Sequence, residues 1–419
     1  MKLSNLRKEE RKDQIALIAD VESKTLKQTN IWISVPKEYE TCLVNDRYDG
    51  FLIFLSYIAM TYGEDLEIDG KVSKRLLRNF NKYVQDIFLA YNSDLRRIKI
   101  TAKETTSDII SSAKHIGTGF SGGVDSFSTI YDNYVLENDT EYKIDTLIFF
   151  NAGTHGKFNE ERTTKLFDSR FEFLKQYPQS INLPYISVDS NLHQFNDEKI
   201  IFHMTTGCLG QICSILSLSE IFKRYYIASA GFNYDAWISN AGDYKYNGKQ
   251  NRDMAIWLER YFDLFSTETT EIILDGSQYN RVQKTLNIFN YPLAKQFLNV
   301  CLVNEPQKKN CGICSKCARV GLTLSTINKL NDIRDIFDIE SYKKNEFRLM
   351  CEAVSNYKIN VYMKDIVDFA KINGIKYPSY FVSVIYMKTK WCLNISKRIA
   401  CKIFGKKLTV KIKSIVKEG

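Results

Sequence analysis

The chain has 419 residues, 44% hydrophobic and 26% charged, with a formal net charge of +9. Six prolines and 20 glycines are too few for long disordered or collagen-like tracts, and no apolar run of about 18 residues suggests a transmembrane helix. Residues 385–419 hold ten Lys or Arg and one acid, so the whole excess sits there and the preceding chain is balanced. This argues against a general nucleic-acid coat and leaves an anionic partner open for the basic tail.

At roughly 100–200 residues per domain, the length predicts two or three domains. Residues 1–10 are charged where a signal peptide would turn apolar, so a cytoplasmic location is expected. The ten cysteines would then be reduced, and clustered ones read as metal ligands before disulfides.

Residues 6–22, rich in Glu, Lys, Arg and Ala, predict a surface helix, and 31–35 a short strand. The apolar run within 49–62 predicts a buried helix. A strand over 65–68, a turn at Asp69-Gly70 and a helix over 73–89 follow, the helix carried by Leu76, Leu77, Phe80, Tyr83, Val84, Ile87 and Phe88 at helical spacing. With a strand over 95–102, residues 1–110 read as a small α+β domain, and 105–112 as a linker. From there the pattern alternates: strand 115–120, helix to 135, strand 146–150, helix 160–177, strand 185–188, helix 205–224, strand 225–230. Such alternation predicts an α/β domain with a doubly wound parallel sheet over 111–330. Residues 332–337, 339–354 and 363–373 predict a helical extension over 331–384. In the tail, Trp391, Leu393, Ile395, Ile399, Ile403 and Phe404 interleave with bases. That pattern suits either an anionic membrane surface or a solvated or partner-bound extension.

The sharpest local feature is Ser121-Gly122-Gly123-Val124-Asp125-Ser126, between a predicted strand and a predicted helix. Gly122 and Gly123 permit positive φ and close approach of backbone N–H groups to an anion. Ser121 and Ser126 offer hydroxyl donors, and Asp125 can cap the helix or hold a magnesium ion. A plain glycine turn with a helix cap is the bland alternative. The second feature is Cys311-Gly312-Ile313-Cys314-Ser315-Lys316-Cys317 with Cys301 upstream. Four thiolates complete a tetrahedral zinc set, and three plus a remote fourth also suit an iron–sulfur cluster.

The Ser-Gly-Gly-Xaa-Asp-Ser run resembles the PP-loop of the N-type ATP pyrophosphatases, a superfamily that includes GMP synthetase, asparagine synthetase, NAD synthetase and tRNA thiolation enzymes. The resemblance implies adenylation: a substrate oxygen attacks the α-phosphate of ATP and pyrophosphate leaves. Ser121, Gly122, Gly123, Val124, Asp125 and Ser126 would bind the leaving pyrophosphate, with Ser121, Asp125 and Ser126 at the reacting phosphates and Mg2+ beside them. Adenine or ribose would lie near Asn151. A PP-loop followed by Cys and C-x-x-C-x-x-C resembles the 7-cyano-7-deazaguanine synthase (QueC-like) family, which implies that Cys301, Cys311, Cys314 and Cys317 hold a structural Zn2+. It further implies an ATP-dependent ligase that transfers an amine.

The chain departs from that family in its extensions on both sides and in its substrate loop. Gly231-Phe232-Asn233-Tyr234-Asp235-Ala236-Trp237, with Asp243 and Asp253, stands in its place. The acceptor is therefore expected to be another small molecule or a protein terminus. In architecture the chain resembles extended QueC-like proteins, which implies a defence or surface-polysaccharide setting, and a homodimer is one form expected of the protein. A tRNA sulfur transferase using Cys208 and Cys213, and a non-catalytic ATP-binding subunit, are the other readings. Both cysteines also suit a core helix. His203 reads as a structural histidine or a base, and Arg281 as a phosphate contact or a surface ion pair.

Overall fold

The computed structural model describes residues 1–151, 160–195, 207–230, 232–239, 245–246, 249–250, 258–303, 308–390 and 392. It is an α/β protein that divides into two compact units. One comprises mainly Met1–Tyr244 and Gln250–Val300, the other mainly Lys309–Gly419 together with Cys301–Asn304.

The first unit is built on a ten-stranded sheet. Its strands are β1 (Lys2–Arg11), β2 (Gln14–Glu22), β3 (Asn30–Pro36), β4 (Leu66–Ser73), β5 (Ile100–Thr106), β6 (His115–Gly119), β7 (Thr146–Phe150), β8 (Tyr185–Ser190), β9 (Phe222–Ala228) and β10 (Glu271–Asp275). They run in the order β10-β9-β6-β7-β8-β3-β2-β1-β4-β5. The five strands from β10 to β8 are mutually parallel. Strand β8 then pairs antiparallel with β3 through Ile33↔Ser190 and Ser34↔Asp189.

That junction corrects the expectation of a separate domain over residues 1–110. The amino-terminal strands extend the same sheet, and the segment belongs to the same compact unit. The helix expected over 6–22 is instead the hairpin β1–β2, turning at Lys12 with φ 49°. Its charged residues had suggested a surface helix. Ile15, Ala16, Leu17, Ile18 and Ala19 are instead all buried, a continuous apolar run that suits a strand covered on both faces.

Other boundaries shift for local reasons. Asp69-Gly70 is a register irregularity inside β4, not a turn. The predicted helix over 73–89 forms as Lys74–Asn79 and Gln85–Tyr91 around a π-helical turn, Phe80–Val84. Helix Asp49–Tyr62 is buried nearly all round and stops at Gly63 in the left-handed region. At its start, Asp49 accepts from the Ser73 N–H at 2.7 Å, and burial pushes its carboxyl up to about 7. The helix predicted over 205–224 is described from Gly207 to Ser217, and β9 begins already at Phe222.

The second unit is helical, with helices Ser315–Thr326, Ile339–Ser355, Val361–Ile372 and a helix over 380–390. Asp338 caps the second, accepting from Ser341 N–H at 2.9 Å, and Asn360 caps the third. Among the described residues, no helix is long and apolar enough to cross a membrane.

Candidate functional site

Strand β6 lies between β7 and β9, both parallel to it. Its two neighbours follow it in opposite directions along the sheet. At such a reversal of strand order a crevice opens beyond the carboxyl ends of the strands. The loop Ser121–Ser126 leaves β6 at that end, and helix Val124–Ile130 continues from it through the π-helical stretch Tyr131–Leu136.

Gly122 sits at φ +71°, where a side chain is strained. A Cβ there would also lie 2.6 Å from Leu174 Cδ2. The Gly122 carbonyl accepts from Asn299 N–H at 2.8 Å, which pins the loop to the segment before Cys301. We expect Gly122→Ala to destabilise the protein by about 2 kcal/mol from the left-handed strain alone, with the Leu174 clash added. Chemical denaturation giving a wild-type midpoint and slope would contradict this.

A cavity of about 380 Å³ opens against the loop, within the range of small-molecule sites. Ser121, Asp125 and Ser126 line it, with Phe120, Ile148, Phe149, Phe150, Tyr225 and Phe262 as apolar walls. Glu259, Gln211 and Cys208 add polar groups. Ser126 Oγ donates to Gly123 O at 3.1 Å and lies 3.4 Å from Ser121 Oγ. Val124 is instead packed in the core.

Asn151 is buried at the end of β7 and is absent from the described lining. Its amide donates to Asp189 Oδ1 at 2.7 Å, so it ties β7 to β8. The loop after it, with His155, lies outside the described residues, as do His203, Gly231, Asp243 and Asp253. Asp235 is exposed on the short helix Tyr234–Ser239, where Trp237 meets Tyr234 edge-on.

Arg281 is not a surface pair. Its Nη2 lies 2.8 Å from Asp125 Oδ2 and donates to Ala230 O at 2.9 Å. One turn along the same helix is Lys284, which sequence reading passed over. It is fully buried, 3.5 Å from Asp125 Oδ1, and donates to Ser229 O and Oγ at 3.0 and 2.7 Å. Burial pushes its pKa down and the Asp125 carboxylate opposes that shift. Behind it, burial raises the carboxyls of Asp275 and Asp132, the latter to about 6. Helical spacing of a base at positions 281 and 284 was the available signal. Nothing local said that both would turn to Asp125.

The two spare cysteines part company. Cys208 lines the cavity. Cys213 is fully buried, and burial pushes its thiol far up, as for a core residue.

In the second unit the Sγ atoms of Cys301, Cys311, Cys314 and Cys317 all lie within 4.8 Å of one another. Sulfur–sulfur edges of about 3.8 Å follow from tetrahedral zinc–thiolate bonds, and Cys311 and Cys317 stand 3.9 Å apart. The Cys314 and Val303 N–H groups donate to the sulfurs of Cys311 and Cys301 at 3.3 and 3.4 Å. Such bonds favour thiolates. Gly312, at φ +72°, makes the turn, and a Cβ there would fall 2.6 Å from Asp338 O. A hydrogen bond from Cys317 holds the Cys314 thiol below the ordinary cysteine value, with backbone N–H groups assisting. The set can hold a metal ion and is compatible with zinc.

No protein-family model matches the chain, and neither the curated proteins nor the solved structures contain a match to it.

Proposed function

We propose that the protein is an ATP-dependent ligase of the PP-loop class with a doubly wound, QueC-like nucleotide domain. One observation carries the reading. The Ser121–Ser126 loop opens at the carboxyl end of β6 onto the cavity, with Arg281 and the buried Lys284 gathered on Asp125. Backbone N–H groups of Gly122 and Gly123 and the hydroxyls of Ser121 and Ser126 would receive the β- and γ-phosphates of ATP. Arg281 and Lys284 would offset the charge that develops on pyrophosphate. Asp125 would hold Mg2+ beside them.

In this reaction an acceptor oxygen, from a carboxylate or amide, bonds to the α-phosphorus as the bond to pyrophosphate breaks. An amine nitrogen then attacks the activated carbon, losing a proton, and AMP departs with the oxygen. The largely apolar walls suit a small acceptor or a protein terminus better than a polyanion. The four cysteines would hold a structural Zn2+, since the set is closed and leaves no open ligand position for chemistry.

The test is ATP-dependent pyrophosphate release in the presence of an amine donor. Ser121→Ala and Asp125→Asn are expected to lower it; unchanged release in both variants would end the proposal.

A second reading, sulfur transfer to tRNA, draws on the position of Cys208 in the cavity wall. If the ligase reading holds, Cys208→Ser leaves pyrophosphate release within about threefold of wild type. Labile sulfur on Cys208, with loss of a thionucleoside in the variant, would favour the transferase instead.

A further inference from the structure

The helix over 380–390 in the second unit has two dissimilar sides. On one, Ser383 is fully buried and Tyr386 meets Phe347 edge-on at 5.3 Å. On the other, Phe381 is 74% exposed, Val382 46% and Ile385 48%, while Tyr380 at the start of the helix is 57% exposed. Ile372, at the end of helix Val361–Ile372, is 83% exposed. Single exposed apolar residues are ordinary; a run of large ones along one helix marks an interaction surface. This helix leads directly into the strongly basic segment of the chain. Lys388 and Lys390 lie on it, and eight further bases follow among Leu, Ile, Val and Phe by residue 417.

We propose that this apolar face docks the protein on an anionic lipid surface, drawn there by the bases of the helix and of the sequence that follows it. Charge complementarity selects that occupant. Anionic headgroups would neutralise the bases, and Phe381, Val382 and Ile385 would enter the boundary between headgroups and acyl chains. A second copy of the chain carries the same net charge of +9, which opposes self-association. A single-stranded nucleic acid would satisfy the bases and could stack on Tyr380 and Phe381, but it would leave the aliphatic Val382 and Ile385 exposed, which acyl chains would cover. The contact is peripheral and does not depend on the ligase reading.

The test is vesicle flotation of the full chain on phosphatidylcholine alone and on phosphatidylcholine with about a third phosphatidylserine, at low and high salt. Recovery is expected only with phosphatidylserine, and less at high salt. Phe381→Ser combined with Ile385→Ser should lower the bound fraction at least about tenfold. Lys397→Glu with Arg398→Glu should do likewise, and neither pair should shift the melting temperature.

Equal recovery on both vesicle types, or full recovery by both variants, would overturn the proposal. So would the absence of flotation, whether the chain instead retains a poly(U) strand after Phe381→Ser and Ile385→Ser or shows a dimer that those substitutions abolish. The last two outcomes would assign the surface to nucleic acid and to self-association respectively.

Discussion

Lys284→Met should reduce pyrophosphate release by about 10²–10³-fold, the usual consequence of removing one preorganised charge stabiliser. Lys284 is the better probe of this corner because of what its removal leaves behind. Methionine keeps an unbranched apolar stem in the buried site, and Asp125 retains Arg281 at 2.8 Å. Asp125→Ala would do the reverse, leaving the fully buried ammonium of Lys284 without its carboxylate. Breaking a buried pair in that way costs about 3–5 kcal/mol and would confuse stability with catalysis.

The pH dependence separates the roles further. Burial holds the Lys284 pKa below the ordinary lysine value. Between those two values the unfolded chain binds more protons than the folded one, so this group's contribution to stability rises with pH. The cation needed against phosphate is lost over the same window. Release should therefore fall on the alkaline side, and Lys284→Arg should push that limb upward, because a guanidinium stays charged. Release by Lys284→Met within threefold of wild type, or an alkaline limb that Lys284→Arg does not move, would remove Lys284 from the chemistry.

The second large effect concerns the four cysteines. One zinc per chain is expected by elemental analysis, and Cys317→Ser should lose it. Structural zinc in small sites contributes about 10–16 kcal/mol of apparent binding energy, which is also folding energy. Cys317 is fully buried at the start of helix Ser315–Thr326, against which helices Ile339–Ser355 and Val361–Ile372 are packed. Loss of the ion should expose the amides of these helices to hydrogen exchange. Iron with a visible charge-transfer spectrum would replace zinc by a cluster, and a metal-free protein with wild-type protection would refute a metal centre altogether.

Much of this was legible because it is local. A glycine pair between a strand and a helix, or cysteines two residues apart, carry their geometry in a few adjacent dihedrals. The Ser121–Ser126 turn and the Cys311–Cys317 knuckle appear where their residues predicted them. The strands 146–150 and 185–188 were equally clear, being short apolar runs between helical patterns.

What could not be read was whatever depends on partners distant in sequence. Residues 15–19 look like part of a charged helix until β1 and β3 cover their edges. Strand β10 was overlooked because its Glu and Asp ends dilute a short apolar centre, and only β9 makes it a strand. Glu259 carries no local mark that sets it beside the loop, and Lys284 only its helical spacing from Arg281. Their burial beside the loop arises from the packing of helix Arg281–Ile288 against helix Val124–Ile130 and of the Glu259–Phe265 turn against β10.

The sequence alone thus determined the glycine turn, the cysteine knuckle and the alternation of strands and helices, since each is a short-range property of the backbone. The tertiary structure alone decided that residues 1–110 join the central sheet, and which cations and carboxylates face the loop. Pairing and desolvation act between segments that only folding brings together.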